Sequence, residues 1–497
     1  MELEIRINQR VLAKESVKAT ESDVYKLAGK CLLDIKDSDI PGSMEVRDKE
    51  TGNHACFKLV KRGTVKHADG TASPSLYVTE EDDSLSENLE KSLYEDAYMV
   101  CINPSGNNYK FYWLRPSSVN GKTTFVDATY GRLGSEPGER FGVKELQNPY
   151  TSKMYWIRYY EKLSKGYEDM TDIYLEKSKT SSKKKKKKET SKNDASSKLY
   201  EMLVRFARHV VNRVVADPNI VTKSMVKKSK ALYQKLEKYS ASENFEKFNE
   251  TLLKLLMVCP RSVEEVQVWL AHSSDDFEEI LDREMALINA MEAVASEQDT
   301  PETPEKPAEN LWGMDIDIHS PDKNEEKAIL GLVAKNMQRE VQEVFMVRPK
   351  GQYERFEKYC KDHNISKTES LFHGSGKENW YSITKNSLLL PQNNNARKTG
   401  QALGAGLYFG NHAKKSSHYT QGEDTYILGV FDVAYGKPMM IKDTDHHCYQ
   451  RHNQAELDSK GCDCLHYTRI GSDWADEIVV FNENAACLKA LIVMKRS

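Results

Sequence analysis

The sequence lacks any long apolar run and any regular spacing of its cysteines. No stretch approaches the roughly 20 consecutive apolar residues that a membrane-spanning helix needs. Met1 is followed by charged residues rather than by the short apolar core of a secretory signal, and the nine cysteines are scattered. We therefore expect an intracellular protein with reduced thiols and no membrane partner.

The chain as a whole also lacks a strong charge of one sign. Its formal net charge is −3, although Lys183 to Lys188 form an unbroken cationic run and Thr79 to Glu87 are acidic. The 497 residues are too many for one core, because domains commonly hold about 100 to 200 residues. We therefore expect about three domains plus connecting segments. The predicted boundaries divide the chain into 1–94, 95–170, 171–196, 197–296, 297–310 and 311–497, of which 171–196 and 297–310 are linkers.

Two of these segments, 171–196 and 297–310, have the composition of linkers. Lys177 to Lys192 contain only Lys, Ser, Thr and one Glu, and such a segment buries too little apolar surface to offset its ordering entropy. The second segment is rich in Pro, Glu and Thr. The lysine run is consistent with a nuclear localisation signal, a tether for nucleic acid, or a plain solvated linker.

The remaining segments predict a multidomain α+β protein. Residues 1–94 mix a helix-like opening with short strand-like runs and carry no chemical motif. Segment 95–170 has β-branched and aromatic runs followed by a helical pattern, which predicts a small β-rich domain. Apolar residues recur every three or four positions from Leu199, and the helical pattern continues through VEEVQVWLAH (263–272), so 197–296 is predicted to be all-α. Segment 311–497 predicts a mixed α/β domain.

The glycines of GAGLYFG (404–410) do not match a phosphate-binding loop. The dinucleotide fingerprint needs Gly-x-Gly-x-x-Gly between a strand and a helix, with an acidic residue about 20 positions on. Gly410 comes one position too late, and no Gly-Lys-Ser/Thr pair follows it. These glycines therefore predict a turn that leads into a strand.

Three separated motifs nevertheless occur in one register: LFHGS with His373, GLYFG with Tyr408, and ADEIVVF with Glu477. Together with KKSSHY, this set resembles the catalytic domain of the poly(ADP-ribose) polymerases from about residue 311 onward. The resemblance implies an ADP-ribosyltransferase that consumes NAD and holds no metal, with His373, Tyr408 and Glu477 as catalytic residues. The NAD-binding residues that it implies are His373, Gly374, Ser375, Tyr408, Ser416 and Tyr419.

The acidic residue suits this chemistry. Transfer of ADP-ribose breaks a glycosidic bond through an oxocarbenium-like state, so a carboxylate near the sugar stabilises the developing charge. Asp476 is a rival for this role, and we prefer Glu477 because that choice keeps the downstream LKALI segment aligned without a gap.

The remaining motif residues suit binding of the dinucleotide. Tyr408 and Tyr419 can sandwich a flat nicotinamide ring, while Ser416 and the backbone of Gly374 fix its carboxamide. By resemblance, His373 holds a hydroxyl of the adenosine ribose and does not need to ionise.

A histidine- and cysteine-rich segment, 445–466, offers a competing metal interpretation. It contains four histidines and three cysteines. Zinc motifs favour cysteine pairs two to four residues apart, whereas Cys462 and Cys464 have one residue between them. The KGCDCLH part of this segment (460–466) resembles the family's acceptor-side loop, which holds no metal, so we expect no metal site while zinc stays the alternative.

A motif upstream, YGRLG (130–134), resembles the core of the WGR domain of DNA-dependent family members. Tyr130 replaces the eponymous tryptophan. The resemblance implies DNA contacts by Tyr130, Gly131 and Arg132, with the ring stacking on a sugar or base and the guanidinium meeting a phosphate.

The segment FEEILDREMALI (277–288) resembles the family's helical regulatory domain, which restricts dinucleotide entry until DNA is bound. These resemblances imply a nuclear enzyme, stimulated by broken or nicked DNA, that adds a polymer of ADP-ribose to protein acceptors including itself. Two alternatives stay open: an enzyme that transfers single units, and a catalytically silent DNA-end sensor.

Overall fold

The computed structural model describes most of the chain. The described residues are 1–66, 72–135, 142–175, 195–216, 221–263, 265–296, 311–390, 402–420, 424–445, 451–469, 471 and 476–496. The chain divides into two compact units. The first comprises Met1–Thr180, Val215–Met225 and Leu252–Leu270, and the second comprises Ser181–Val214, Val226–Thr251 and Ala271–Ser497.

The described residues form strands and helices throughout both units. The strands are Glu2–Ile7 (β1), Arg10–Ser16 (β2), Gly42–Asp48 (β3), His54–Lys66 (β4), Ala72–Asp83 (β5), Ala97–Asn103 (β6), Asn108–Val119 (β7), Lys122–Arg132 (β8), Lys144–Thr151 (β9), Glu168–Asp169 (β10), Ile316–His319 (β11), Val341–Pro349 (β12), Thr368–Gly374 (β13), Leu407–Gly410 (β14), Thr425–Ala434 (β15), Pro438–Lys442 (β16), Cys464–Thr468 (β17), Glu477–Val480 (β18) and Ala486–Lys495 (β19). The helices are Glu21–Cys31 (α1), Met154–Ser164 (α2), Thr171–Tyr174 (α3), Ala195–Val214 (α4), Lys223–Ala241 (α5), Phe245–Val258 (α6), Phe277–Ser296 (α7), Lys323–Leu332 (α8), Lys350–Asp362 (α9), Trp380–Asn386 (α10), Ala413–Ser417 (α11) and Gln454–Ser459 (α12).

The first unit contains two five-stranded antiparallel sheets. Their strand orders are β2-β1-β3-β4-β5 and β10-β6-β7-β8-β9. Helix α2 contributes to the cores of both sheets, because Ile157 packs with the first sheet and Tyr155 packs with the second. The two sheets therefore share one helix, and residues 1–94 pack against an element that lies between β9 and β10 in the chain.

The second unit is built on a nine-stranded sheet with the order β11-β12-β19-β15-β13-β14-β18-β17-β16. Neighbouring strands are antiparallel, apart from the parallel pair β16 and β17. Strands β15 and β19 are buried along nearly their whole length, as their apolar sequences require. The order places β13, β14 and β18 side by side, so motifs that are about 100 residues apart in the sequence become neighbours.

Helices α4 and α7 pack against each other in the second unit. An aromatic cluster joins α4 to the residues before the sheet: the Trp312 ring stacks on Tyr381 with centroids 5.8 Å apart, and Tyr200 meets both rings edge-on. The Trp312 indole N–H donates to Ser196 Oγ at 3.1 Å. Trp312 is almost completely buried as a result.

The coarse α+β fold class is confirmed, and so are most of the elements that the patterns predict. The β runs at 97, 109, 123, 340, 407, 426, 477 and 488 all lie in strands, and α2, α4 and α7 occur where the helical patterns predict them. Residues 195–296 are divided between the two units rather than assigned to one.

Two local predictions are wrong. The opening of the chain is a strand, since Leu3, Ile5 and Ile7 alternate with Glu4 and Arg6 in the two-residue period of a half-buried sheet.

Among the described residues of 263–272, which leave out 264, the regular structure is a short 3₁₀ turn, Val266–Trp269. Side chains of the second sheet satisfy its backbone, because Asn107 Oδ1 accepts from Val266 N at 3.2 Å and Arg132 donates to Val263 O. These bonds compete with the helical pattern.

Candidate active site

The structure brings all seven predicted site residues of the second unit to one cavity of about 460 Å³. Strand pairing explains their convergence, because Phe372 on β13 pairs with Gly410 on β14, and Gly410 pairs with Glu477 on β18. Helix α11 follows β14 directly. The residues that line the cavity from these elements are His373, Gly374, Ser375, Tyr408, Ser416, Tyr419 and Glu477.

His373 lies at the end of β13 among aromatic rings. The rings of Trp380, Phe409 and Phe431 have centroids 6.0–6.3 Å from its own. Its Nδ1 is 2.9 Å from Tyr408 O, and since a carbonyl only accepts, Nδ1 carries the proton. Burial lowers the pKa of His373 below its ordinary value, against the smaller opposing effect of that bond. The neutral ring therefore keeps Nε2 as an acceptor.

The two tyrosines are held differently. The Tyr408 hydroxyl donates to Gly404 O at 2.8 Å and accepts from Leu403 N at 3.0 Å, so the ring is fixed by the turn that precedes β14. Tyr419 is 40% exposed, and its hydroxyl is 3.5 Å from Glu477 Oε1. One ring is thus anchored to the backbone, and the other lies beside the acidic residue.

Ser416 and Gly374 form the close contact between α11 and β13. The Ser416 hydroxyl donates to Phe372 O at 3.0 Å, which leaves its lone pairs free to accept from an amide N–H. A Cβ added to Gly374 would lie 1.9 Å from Ser416 O. Glycine is therefore required at 374 for the backbone to approach α11 this closely.

Glu477, rather than Asp476, faces the cavity. Glu477 is the first residue of β18, and its Oε1 is 2.8 Å from Lys415 Nζ on α11. The Asp476 carboxylate is not among the residues lining the cavity and accepts from His466 Nε2 at 3.1 Å. The preference for Glu477 over its neighbour agrees with this geometry.

The resemblance of 277–288 to the helical regulatory domain implies a helix at the cleft, but sequence reasoning missed Lys415 and the individual side chains that line one wall of the cavity. That wall is a face of α7, which contributes Glu279, Asp282, Arg283, Met285, Ala286 and Asn289. Asn289 Nδ2 is 3.4 Å from Asn379 Oδ1, and Asn379 in turn donates to Ser375 Oγ at 3.1 Å. The sequence does carry a pattern that could have indicated this wall. The lining residues of α7 recur at three- to four-residue spacing, on one side of an otherwise buried helix.

The predicted DNA-binding residues lie at the end of β8 in the first unit. The Tyr130 ring stacks on Tyr112 with centroids 5.5 Å apart. The Arg132 guanidinium donates to Asn107 O at 3.0 Å and to Val263 O at 3.1 Å. Gly131 approaches the backbone of Val143, with a Cβ position only 3.0 Å away. Arg132 thus holds two carbonyl groups of its own unit.

Within the described residues, no group of three or more His, Cys, Asp and Glu side chains could hold a metal ion. Residues 446–450 of the segment considered for zinc, and the lysine run 183–188, lie outside the described residues. None of the described helices combines the length and apolar character that crossing a bilayer requires.

Comparison with known proteins agrees with this site. Residues 324–493 match the family profile described as the poly(ADP-ribose) polymerase catalytic domain. The chain is 32% identical over 133 residues to a poly [ADP-ribose] polymerase tankyrase of Caenorhabditis elegans, which covers 26% of this chain and 6% of that protein. It is 30% identical over 146 residues to poly [ADP-ribose] polymerase 2 of Zea mays, covering 28% of this chain and 21% of the relative.

A shorter relative aligns over most of its length. This protein, a putative poly [ADP-ribose] polymerase-like 100L of Invertebrate iridescent virus 6, is 26% identical over 153 residues, which cover 30% of this chain and 83% of the relative. The fold and the site thus define residues 324–493 as an NAD-dependent ADP-ribosyltransferase domain. The domain is of the poly(ADP-ribose) polymerase type.

Proposed function

We propose that the whole chain is a nuclear poly(ADP-ribose) polymerase that broken or nicked DNA stimulates, and that it modifies protein acceptors including itself. The observation that carries the transfer activity is the convergence of His373, Tyr408, Tyr419 and Glu477 on one cavity. Nicotinamide would lie between the tyrosines with its carboxamide at Gly374 and Ser416, and the adjoining ribose would lie beside Glu477. Neutral His373 would accept from a hydroxyl of the adenosine ribose.

The transfer step uses the chain's own groups in a simple way. The carboxylate of Glu477 stabilises positive charge on the ribose as the bond to nicotinamide breaks. Lys415 and Tyr419 hold that carboxylate in place, and the same carboxylate can position an incoming ribose hydroxyl for polymer growth.

The proposal is tested by incubating the 497-residue chain with labelled NAD, with and without nicked DNA, and resolving the products on a gel. A ladder of products that depends on nicked DNA supports a stimulated polymerase. A single product band would support transfer of single units instead, and absence of any product in both conditions would favour a silent DNA-end sensor.

The DNA dependence is supported by the contacts of Arg132. A phosphate competes well for a guanidinium that now donates to neutral carbonyl groups, because charged acceptors make stronger bonds. Withdrawal of Arg132 from Val263 would loosen segment 252–270, which continues along the chain into α7 at the cavity. Only a DNA end that binds the loosened state more tightly can drive this change.

We expect Arg132→Ala to uncouple DNA from turnover. The ratio of turnover with nicked DNA to turnover without it should fall towards one, since both the phosphate contact and the bond to Val263 are lost. Arg47→Ala, which removes an exposed arginine paired with Glu45 in the same unit, is the matched control and should keep the wild-type ratio. An unchanged ratio in Arg132→Ala would contradict the proposed coupling.

The neutral state of His373 predicts an acid limit for NAD binding. Because burial lowers the pKa of His373, its contribution to stability is complete above the ordinary histidine pKa and is lost as the pH falls through the lower folded value. Protonation also removes the Nε2 acceptor. The KM for NAD should then rise by about tenfold for each pH unit below that folded pKa.

The measurement is KM against pH for wild type and for His373→Gln, whose side chain does not titrate. The variant should have a higher KM near neutral pH and a flatter profile in acid. An acid rise in KM that is equally steep in both proteins would assign it to another group.

A further inference from the structure

A cluster of three side chains lies next to the cavity, at the start of β18. His466 Nε2 is 3.1 Å from Asp476 Oδ2, and His466 Nδ1 is 2.6 Å from Tyr435 Oη. Asn411 Nδ2 adds a longer contact of 3.4 Å to the same Asp476 oxygen. None of these four residues lines the cavity, yet Asp476 immediately precedes Glu477.

The chemistry of the groups fixes the direction of the bond to Asp476, and a neutral His466 ring then fixes the direction of the bond to Tyr435. A carboxylate only accepts, so His466 Nε2 carries a proton and donates it to Asp476. In the neutral ring, Nδ1 is then an acceptor for the Tyr435 hydroxyl. Burial raises the pKa of Tyr435 to about 12, with a smaller contribution from nearby negative charges, so the phenol keeps its proton. Both nitrogens of His466 are therefore satisfied at once.

The cluster links the end of β15, the middle of β17 and the start of β18. Tyr435 directly follows β15, His466 lies in β17, and Asp476 directly precedes β18. The backbone of Tyr435 also donates to Lys367 O at 3.1 Å, just before β13. In the β17–β18 ladder, His466 pairs with Ile478 and Tyr467 pairs with Glu477. His466 thus hydrogen-bonds to Asp476, the residue whose position helps to set that of the Glu477 backbone.

We propose that His466 is a positioning residue that acts through Asp476 to hold Glu477 at the cavity. The inference rests on the proposed transfer function and concerns the same site. Lys415 on α11 and Tyr419 just after it restrain the Glu477 side chain. The cluster instead restrains the Glu477 backbone, through the neighbouring residue Asp476 and strand β17. Charge stabilisation requires a preorganised carboxylate, and the cluster lies outside the lining of the cavity.

The test separates turnover from binding. His466→Ala should lower kcat by about 10- to 100-fold, because a displacement of about 1 Å at a reacting centre can cost about 100-fold, while the KM for NAD stays within about twofold. His466→Gln should restore most of kcat, since its amide can donate to Asp476 and accept from Tyr435. His319→Ala, at an exposed histidine paired with Glu325, is the control and should match wild type.

The inference is overturned if His466→Ala leaves kcat unchanged, or if it raises the KM for NAD as strongly as it lowers kcat. It is also overturned if His466→Gln is as impaired as His466→Ala. Equal loss of kcat in both variants would indicate a general loss of packing rather than loss of the hydrogen bonds that glutamine can replace. A crystal structure of His466→Ala gives a readout without turnover: the Glu477 carboxylate should be displaced, and an unmoved carboxylate rejects the role. Wild-type chain that forms no product from NAD would instead reject the proposed function.

Discussion

Glu477→Gln is expected to lower transfer of ADP-ribose from NAD by about 100- to 1000-fold, which corresponds to about 3–4 kcal/mol of lost electrostatic stabilisation. The amide has nearly the shape of the carboxylate but no charge to balance an oxocarbenium-like sugar. It also loses the ion pair with Lys415. The rate of nicotinamide release with saturating NAD is the direct measurement, and the KM for NAD should change little.

The matched comparison is Asp476→Asn, one residue earlier and within the positioning cluster. Its amide oxygen can still accept from His466 Nε2 and its side chain does not line the cavity, so turnover should fall far less than in Glu477→Gln. The assignment of the acidic role to Glu477 fails if Asp476→Asn proves the more damaging of the two.

Gly374→Ala is expected to lower kcat/KM for NAD by at least about 100-fold and to lower the melting temperature. The new Cβ would lie 1.9 Å from the backbone oxygen of Ser416, and ordinary contact begins at 3.4 Å. Strand β13 and α11 must therefore separate by about 1.5 Å. That movement displaces His373 on one side and Ser416 on the other, and such misplacement at a reacting centre is costly.

Gly331→Ala provides the comparison for this substitution. Gly331 lies in α8, and a Cβ there meets nothing within 4 Å. The change should leave turnover intact and stabilise the fold by about 0.5–1 kcal/mol, because alanine favours the helix. If Gly374→Ala behaved like Gly331→Ala, the close approach of α11 to β13 would not be essential.

The three motifs of the candidate site were predictable because each combines a chemically distinctive residue with a strand-like run. His373 is the last residue but one of β13, Tyr408 lies in β14 and Glu477 begins β18. What periodicity could not show was that these three strands are adjacent, since the pairing of Gly410 with both Phe372 and Glu477 joins segments distant in the chain.

Other features escaped for different physical reasons. Lys415 lies within the KKSSHY motif, but the sequence assigns it no role, and only the orientation of α11 brings its ammonium group to Glu477. The wall formed by α7 depends on tertiary packing of a helix whose sequence indicates only an amphipathic face. In the described part of 263–272, tertiary hydrogen bonds outweigh the helical propensity of the sequence. Arg132 bonds to the carbonyl of Val263, and Asn107 bonds to the backbone N–H of Val266.

The aromatic cluster around Trp312 has a practical consequence for anyone who truncates the protein. A fragment that starts at Leu311 would keep the match to the catalytic profile but would lose Ser196 and Tyr200 from α4, which cover the indole. Trp312 and Tyr381 would then form an exposed apolar patch, which favours aggregation. A recombinant fragment for solubility studies or inhibitor screening should therefore retain α4 and α7. Retaining α7 also keeps the wall that this helix contributes to the cavity.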